Sequence, residues 1–532
     1  MILKIFRTFS VAVILTALLF QTAQISAQTA TAPTQTAWFG AATPAQRQDK
    51  RNERLKNVDV DLGAKMLTSK LSAKDDPYQD IRGDEGIKFV KDIVAFSEQS
   101  RDDGNLLWGR LSGSKYELMA AEYVERKFNE FGLTETRIET FPRTPQWMPT
   151  EFAVTMVGDS AFGAGTLDYR LTSAFPTDSA ATGKDEIEAE MVYVGLAKPS
   201  DLVGRNLTGK IAVVNSQLQI SSFFHTAVGV TASLAAAGVV GVVIIMDVPG
   251  PVQFEPFGIG SPKVPVFTID GDDGAFVVDV IGKAGTANRP KLRLKLGIEQ
   301  IEGWKAQNVF GMIKGETDEN IVLTAHLDAY FYGASDNATG IATMLSLAKH
   351  FSRTGAKRPK RTMIFIATSG HHAKPAAGGY SAGATDVLEK HSELFKKTVF
   401  VFNCEHVASI NTYVNLNGLV ESNTETPLLV IVSNKSSRLY QFLNEAIDRY
   451  GIPVTTRTNQ LPIGDPLPFY YAGITVVHFI AGGLWYHTTR DTPESISISG
   501  LERIGRASAY FLDKVDGTSR ADIDKDAVPR PK

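Results

Sequence analysis

Short apolar runs alternate with amphipathic stretches through the second half of the chain. Residues 308–313, 320–324, 361–368, 399–403, 426–432 and 474–480 are strand-length runs rich in β-branched and aromatic residues. Helical spacing separates them. It runs on from the polar turn after 321–325 to Phe351, and recurs over 385–397, over 436–450 with Gly451 as its stop, and over 498–515. Strands alternating with helices predict an α/β fold: a mainly parallel, mixed sheet with helices on both faces.

The first half is less regular. Residues 84–132 have helical spacing, with Ile87, Val90, Ile93, Val94 and Phe96 near one face, a cap at Ser114 and a stop at Gly132. Residues 134–141 alternate as an exposed strand does. The glycine-rich link GRLSGS between the helices reads as a connector. No Lys-Ser/Thr ending follows it, as a phosphate loop requires. Beyond it, 210–214, 238–246 and 264–269 are buried-strand patterns around a small-residue helix at 226–237. This unit has a single histidine, His225, and no carboxylate cluster evident in the sequence, which assigns it to binding, gating or stability. Residues 28 to about 65 lack sustained periodicity and 516–532 are charged and proline-bearing, so a flexible leader over 28–80, or a loosely packed arm, and a disordered tail are expected.

A chain of 532 residues exceeds one ordinary core. A formal charge of -3 without a basic stripe argues against a nucleic-acid partner. Lys4 and Arg7, the apolar run 11–20 and the small-residue site at 25–27 form a secretory signal pattern over 1–27. The run is short for a membrane span, so export to the periplasm or the extracellular space, with no stable span after cleavage, is expected; a retained anchor is the alternative. Cys404 is the only cysteine, which excludes an intramolecular disulfide.

The candidate chemistry sits at strand ends. His326, Asp328 and Asp336 follow the first of these strands, His371 and His372 the next, Glu405 and His406 the third, and Tyr486 and His487 the last. Five of the nine histidines fall in these clusters, which chance composition does not arrange. Neutral imidazole and carboxylate are what zinc uses when thiolate is lacking, and one aspartate shared between two ions makes a two-metal site.

The stretches TAHLDA, GASDNATG and YHTTRDTPE, with Glu405, resemble the M28 family of zinc metallopeptidases, mostly aminopeptidases and related carboxypeptidases. VYVGLAK, LTGKIAVV, AAAGVVGVVII and VPVFTI resemble a protease-associated (PA) domain, which several branches of that family carry as an insert. The resemblance implies a zinc aminopeptidase-like domain over 81–155 and 300–515, an inserted β-rich or α+β PA domain over 156–299, and a peptide or protein substrate. It implies two zinc ions, one ion being the alternative. It also implies His326 on the first ion with Asp328 supporting its ring, Asp336 as the bridge, Glu405 on the first ion and His487 on the second, with Tyr486 donating to the tetrahedral intermediate. Asn337 and Gly340 would shape the turn. Gly464-Asp465-Pro466 resembles a site-flanking segment of the family that has a histidine where this chain does not.

The family's Glu-Glu pair is replaced by His371-His372. His372 can substitute as a ligand to the second ion, and His371, titrating near neutrality, can serve as the base; His406 is a further candidate. Two functions are therefore expected as alternatives: an exopeptidase with altered chemistry, or a metal- or peptide-binding protein on the same scaffold. Substrate-binding residues and oligomeric state are not legible.

Overall fold

The computed structural model describes residues 36–55, 77–217, 226–227, 229–255, 262–372, 381–415, 418–458 and 461–528. The secretory pattern at 1–27, His225 and the 373–379 segment after His372 lie outside them.

Two eight-stranded sheets organise the chain. The first has the order Val454–Thr458, Leu428–Val432, Val476–Ile480, Thr398–Glu405, Asn320–His326, Thr362–Thr368, Lys305–Ile313, Thr134–Pro142. The four central strands run parallel, and the pairings further out are antiparallel, apart from the last, Leu428–Val432 with Val454–Thr458. Asn320–His326, Thr362–Thr368 and Thr398–Glu405 are buried along their whole length, which explains their unbroken apolar character. The alternating strand Thr134–Pro142 lies at the sheet edge, where one face meets water.

Helix Gly83–Asp102 buries Ile87, Val90, Ile93 and Val94 against the sheet's core. Helix Lys115–Glu130 begins where the Ser114 hydroxyl accepts from the Glu117 amide, 3.3 Å away. Helix Ser437–Tyr450 ends on Gly451 at φ +63°.

The second sheet draws its long strands from Gln146–Met156, Ile187–Tyr193, Ile211–Ser216, Gly241–Met246, Val266–Ile269 and Lys291–Ile301. The chain leaves the first sheet at Pro142 and returns at Lys305, and these two residues are register partners on neighbouring strands. A long excursion between adjacent strand ends leaves the first sheet's pairing undisturbed.

Two stretches expected to be unstructured are built into the fold where they are described. Within the 28–80 leader, Trp38 is buried, with its ring 5.8 Å from Phe162 and 5.9 Å from Phe276. Helix Pro44–Leu55 follows, and its Arg51 donates to Asp272 at 3.2 Å and to the Gly250 carbonyl at 3.0 Å. One aromatic and one arginine anchor a segment whose average composition is that of a loop. Within the 516–532 tail, helix Arg520–Asp524 buries Ile523, and the Val528 amide donates to the Asn434 carbonyl at 2.9 Å. Arg361 also holds the Val515 and Thr518 carbonyls at 2.8 and 2.9 Å. The second sheet's unit does carry clustered carboxylates, since Asp270, Asp272 and Asp273 are buried at one helix start, where Asp270 accepts from the amides of the other two. Among the described residues no helix is long and apolar enough to cross a membrane.

Ile523 is 1% exposed, so Ile523→Ala is expected to cost about 2–4 kcal/mol in urea unfolding. A change below about 0.5 kcal/mol would mean that the tail does not pack in solution.

Candidate metal centre

The parallel strands all point their carboxyl ends at one corner, the usual location of a site in an open α/β sheet. His326 closes one strand and Glu405 another, and His371 and His372 follow a third. His406 and His487 adopt left-handed backbone, at φ +53° and +57°, an uncommon conformation for residues with a side chain.

Asp336 is the centre of the arrangement. Its Oδ1 lies 3.3 Å from His326 Nε2 and 3.0 Å from His406 Nε2. Its Oδ2 lies 3.1 Å from His487 Nε2 and 3.5 Å from His372 Nε2. One carboxylate thus faces two separate pairs of imidazoles. Burial alone would raise its pKa, but the His406 and His372 imidazoles hold it well below the usual carboxylate range.

Three of these imidazoles are oriented by backbone carbonyls. Nδ1 of His326 meets the Asp328 carbonyl at 3.0 Å, Nδ1 of His487 the Glu255 carbonyl at 3.0 Å, and Nδ1 of His406 the Ala481 carbonyl at 3.3 Å. A carbonyl only accepts, so each Nδ1 carries hydrogen and each Nε2 is turned to the centre. The support expected from the Asp328 side chain comes instead from its main chain. Its carboxylate stands 3.8 Å from His326 Nδ1 and accepts from the His371 amide at 3.3 Å.

The residues fit a metal. His326 Nε2, His372 Nε2, His487 Nε2 and both Glu405 oxygens are buried without a hydrogen-bond partner. Buried polar atoms are rarely left so, and an ionised carboxylate least of all. Suitable donor atoms of His326, His371, Glu405 and His406 lie within 4.8 Å of one another, as do those of His326, Asp336 and His372. Nitrogen and carboxylate oxygen together suit zinc and its first-row neighbours rather than calcium or magnesium.

His371 stacks on His326 with ring centres 3.9 Å apart, and its Nδ1–H donates to Asp465 Oδ1 at 3.0 Å. Asp465 also accepts from the Thr368 hydroxyl. Burial would lower the His371 pKa, but Glu405 and Asp465 raise it to about 10. Tyr486 stacks on His487 at 3.8 Å, and burial keeps its phenol well above its ordinary range and hence protonated.

Four supports escape a reading of the sequence alone. Arg110, in the supposed connector, is wholly buried and donates to the carbonyls of Leu327, Tyr332 and Gly333 at 3.0, 2.9 and 3.0 Å, clamping the turn between His326 and Asp336. Asp491 accepts from the Ser335 and Asp336 amides at 2.8 and 3.0 Å. Asp465 and Glu255 complete the set. Asp491 and Asp465 lay within stretches that resemble the family's and Arg110 within the glycine-rich link, but nothing local marks Glu255, 232 residues from His487.

Asp491→Asn keeps the side-chain shape but sets an amide NH₂ against a backbone N–H. It is expected to lower stability by about 1–3 kcal/mol and to reduce metal content, read by urea unfolding and elemental analysis. Unchanged values in both would deny Asp491 this role.

Residues 308–512 match the model of peptidase family M28. Aminopeptidase YwaD of Bacillus subtilis strain 168 is 25% identical over 345 residues, covering 62% of this chain and 67% of that protein. Transferrin receptor protein 1 of Gallus gallus is 31% identical over 127 residues, 23% of this chain and 16% of the receptor. The chain thus spans about a sixth of the length of the transferrin receptors it matches. A peptidase M28 precursor from Shewanella amazonensis SB2B superimposes with a TM-score of 0.63 at 17% identity, covering 92% of this chain and 99% of that one. BSAP, a zinc aminopeptidase from Bacillus subtilis, does so with a TM-score of 0.58 at 19% identity, covering 84% and 99%. Residues 308–512 thus match peptidase family M28, within an α/β architecture that the chain shares with these structures.

Proposed function

We propose that this is an exported zinc peptidase of the aminopeptidase-like exopeptidase type, hydrolysing short peptides, with the second sheet acting as a PA-type insert that walls the cleft. One observation carries the reading: the two oxygens of Asp336 each face their own pair of imidazoles, His326 with His406 and His372 with His487. His326 and Glu405 would hold a first zinc, His372 and His487 a second, with Asp336 common to both. Zinc bound there supplies Lewis acidity toward a substrate carbonyl and acidifies water. The relatives named above as aminopeptidases support the substrate class. So does a cavity lined by His372, Asp178 and Glu255, whose carboxylates complement a peptide ammonium. Export rests on the N-terminal pattern of residues 1–27.

The protein's own proton chemistry centres on His371. Its Nε2 is the free nitrogen, since Nδ1 is committed to Asp465. At a pKa of about 10 it is protonated at neutral pH, and Glu405 and Asp465 together keep it so. Once the charge of Glu405 is taken up by a cation, His371 falls toward neutrality. It can then accept a proton from water and pass it to the leaving amine. Tyr486, protonated, donates to the developing oxyanion.

The replacement of a Glu-Glu pair by His371-His372 favours one second reading, a binding protein that holds metal and peptide without efficient turnover.

Metal uptake is expected to release protons. His487, which burial would lower but Asp336 and Glu255 raise to about 9, is protonated at pH 7 in the metal-free protein, and ligation requires neutral imidazole. His371, raised to about 10, loses part of what holds its proton once a cation takes up the Glu405 charge. Zinc titrated into weakly buffered protein at pH 7 should therefore acidify the solution, and apparent affinity should rise with pH toward about 9. Uptake without proton release would contradict the His487 assignment.

His371→Ala is expected to lower kcat on aminoacyl chromogenic substrates about 10²–10⁴-fold with metal content retained. Unchanged turnover removes His371 as the base. Absence of chelator-sensitive turnover in the metal-replete wild-type protein favours the binding reading.

A further inference from the structure

We propose that Arg143 recognises a substrate carboxylate, so that the cleft selects short peptides carrying a carboxylate close to the scissile bond. This rests on the peptidase reading above and names the substrate class of the same site.

A cavity of about 470 Å³ adjoins the candidate metal centre, with His372, Asp328 and Tyr330 in its wall. Trp147 and Trp304 line it from the second sheet and its return segment, and Arg143 lines it where the chain crosses between the sheets. Arg143 is the first residue after the strand Thr134–Pro142, and its amide is pinned to the Trp304 carbonyl at 2.9 Å.

The Arg143 side chain is only 9% exposed. Its guanidinium makes one hydrogen bond, Nη2 to the neutral Gln146 Oε1 at 3.0 Å. Its Nε is buried with no acceptor, and among the described residues no carboxylate reaches ion-pair distance, so Asp328 and Glu117 only partly offset the lowering of its pKa by burial. The structural arginines of this protein are different. Arg110 spends Nε and both terminal nitrogens on three carbonyls and the Ser97 hydroxyl. Arg361 pairs with Glu319 and holds carbonyls of the closing helix. A buried cation with unused donors carries a desolvation cost that distant charges offset only in part, and a planar guanidinium with free N–H groups matches a carboxylate.

The seat for this side chain is built in. Gly113, at φ +87°, lies against it, and a Cβ there would fall 3.1 Å from Arg143 Cγ and 3.0 Å from Trp304 Cβ. The glycine of the GRLSGS link therefore makes room for the arginine stem. With Asp178 and Glu255 lining the same cavity, both charges of a zwitterionic short peptide find a complement.

The carboxylate has two possible sources, a free C-terminus or an acidic side chain, and three peptides separate them: Ala-Leu, Ala-Leu-NH₂ and Ala-Glu-NH₂. With zinc-loaded full chain, kcat/KM is expected to favour a carboxylate-bearing peptide over Ala-Leu-NH₂ about ten- to a hundredfold. Preference for Ala-Leu assigns the C-terminus, and preference for Ala-Glu-NH₂ assigns the side chain. Arg143→Met should abolish the preference by lowering only the carboxylate peptide, and Arg143→Lys should restore part of it. Arg143→Lys carries the test if Arg143→Met does not fold. Calorimetric binding of the same peptides to chelator-treated protein, where no turnover intervenes, should rank them alike. Equal handling of all three peptides by the wild type overturns the proposal, as does a uniform loss in a variant with native unfolding behaviour. Arg143-dependent binding without turnover in the loaded protein sinks the peptidase reading and leaves the carboxylate assignment standing.

Discussion

Everything at this corner depends on how one buried carboxylate is accommodated. Asp336 is 2% exposed and has four imidazole nitrogens within 3.5 Å. Such a charge survives burial only where partners compensate it. The turn that presents it is held from outside by Arg110 on carbonyls and by Asp491 on amides, so its backbone groups are satisfied before any ligand arrives. Glu405 is the counterpart that the protein leaves without hydrogen bonds, with both oxygens buried and unbonded. A saturated support beneath an unsaturated donor set is the arrangement a metal site requires.

The replacement of two carboxylates by His371 and His372 is less drastic than the motif suggests. Asp465 stands 3.0 Å from His371, so a carboxylate still backs the position through the imidazole. The imidazole is oriented by that carboxylate through Nδ1, leaving Nε2 for chemistry. The same substitution makes the centre richer in nitrogen, which shifts its preference toward zinc-like ions.

The second sheet is coupled to this centre as well as to the cleft. Phe254 pairs with Thr488 in an isolated bridge, the Glu255 amide donates to the His487 carbonyl, and the His487 ring Nδ1 donates back to the Glu255 carbonyl. The His487 imidazole is thus oriented by a residue from the second sheet's unit. Movement of that segment would be felt at Asp336 through His487.

The α/β architecture was legible because strands buried on both faces must be continuously apolar and helices must carry a 3.6-residue stripe. These periodicities are local properties of the chain. His326, Asp336, His372, Glu405 and His487 were legible for a related reason, since each closes or follows such a strand, and parallel strand ends meet at one edge. What only the tertiary structure decided are the contacts with no local signature. Arg110 looked like a loop residue, and Asp328 acts through its carbonyl instead of its side chain. Trp38 and Ile523 sit in segments whose average composition conceals one buried anchor. Asp465 and Glu255 reach their histidines across 94 and 232 residues. Composition and spacing report what a segment buries on its own face. Which distant carboxylate or carbonyl meets an imidazole is set by packing between the sheets, and no local pattern encodes it.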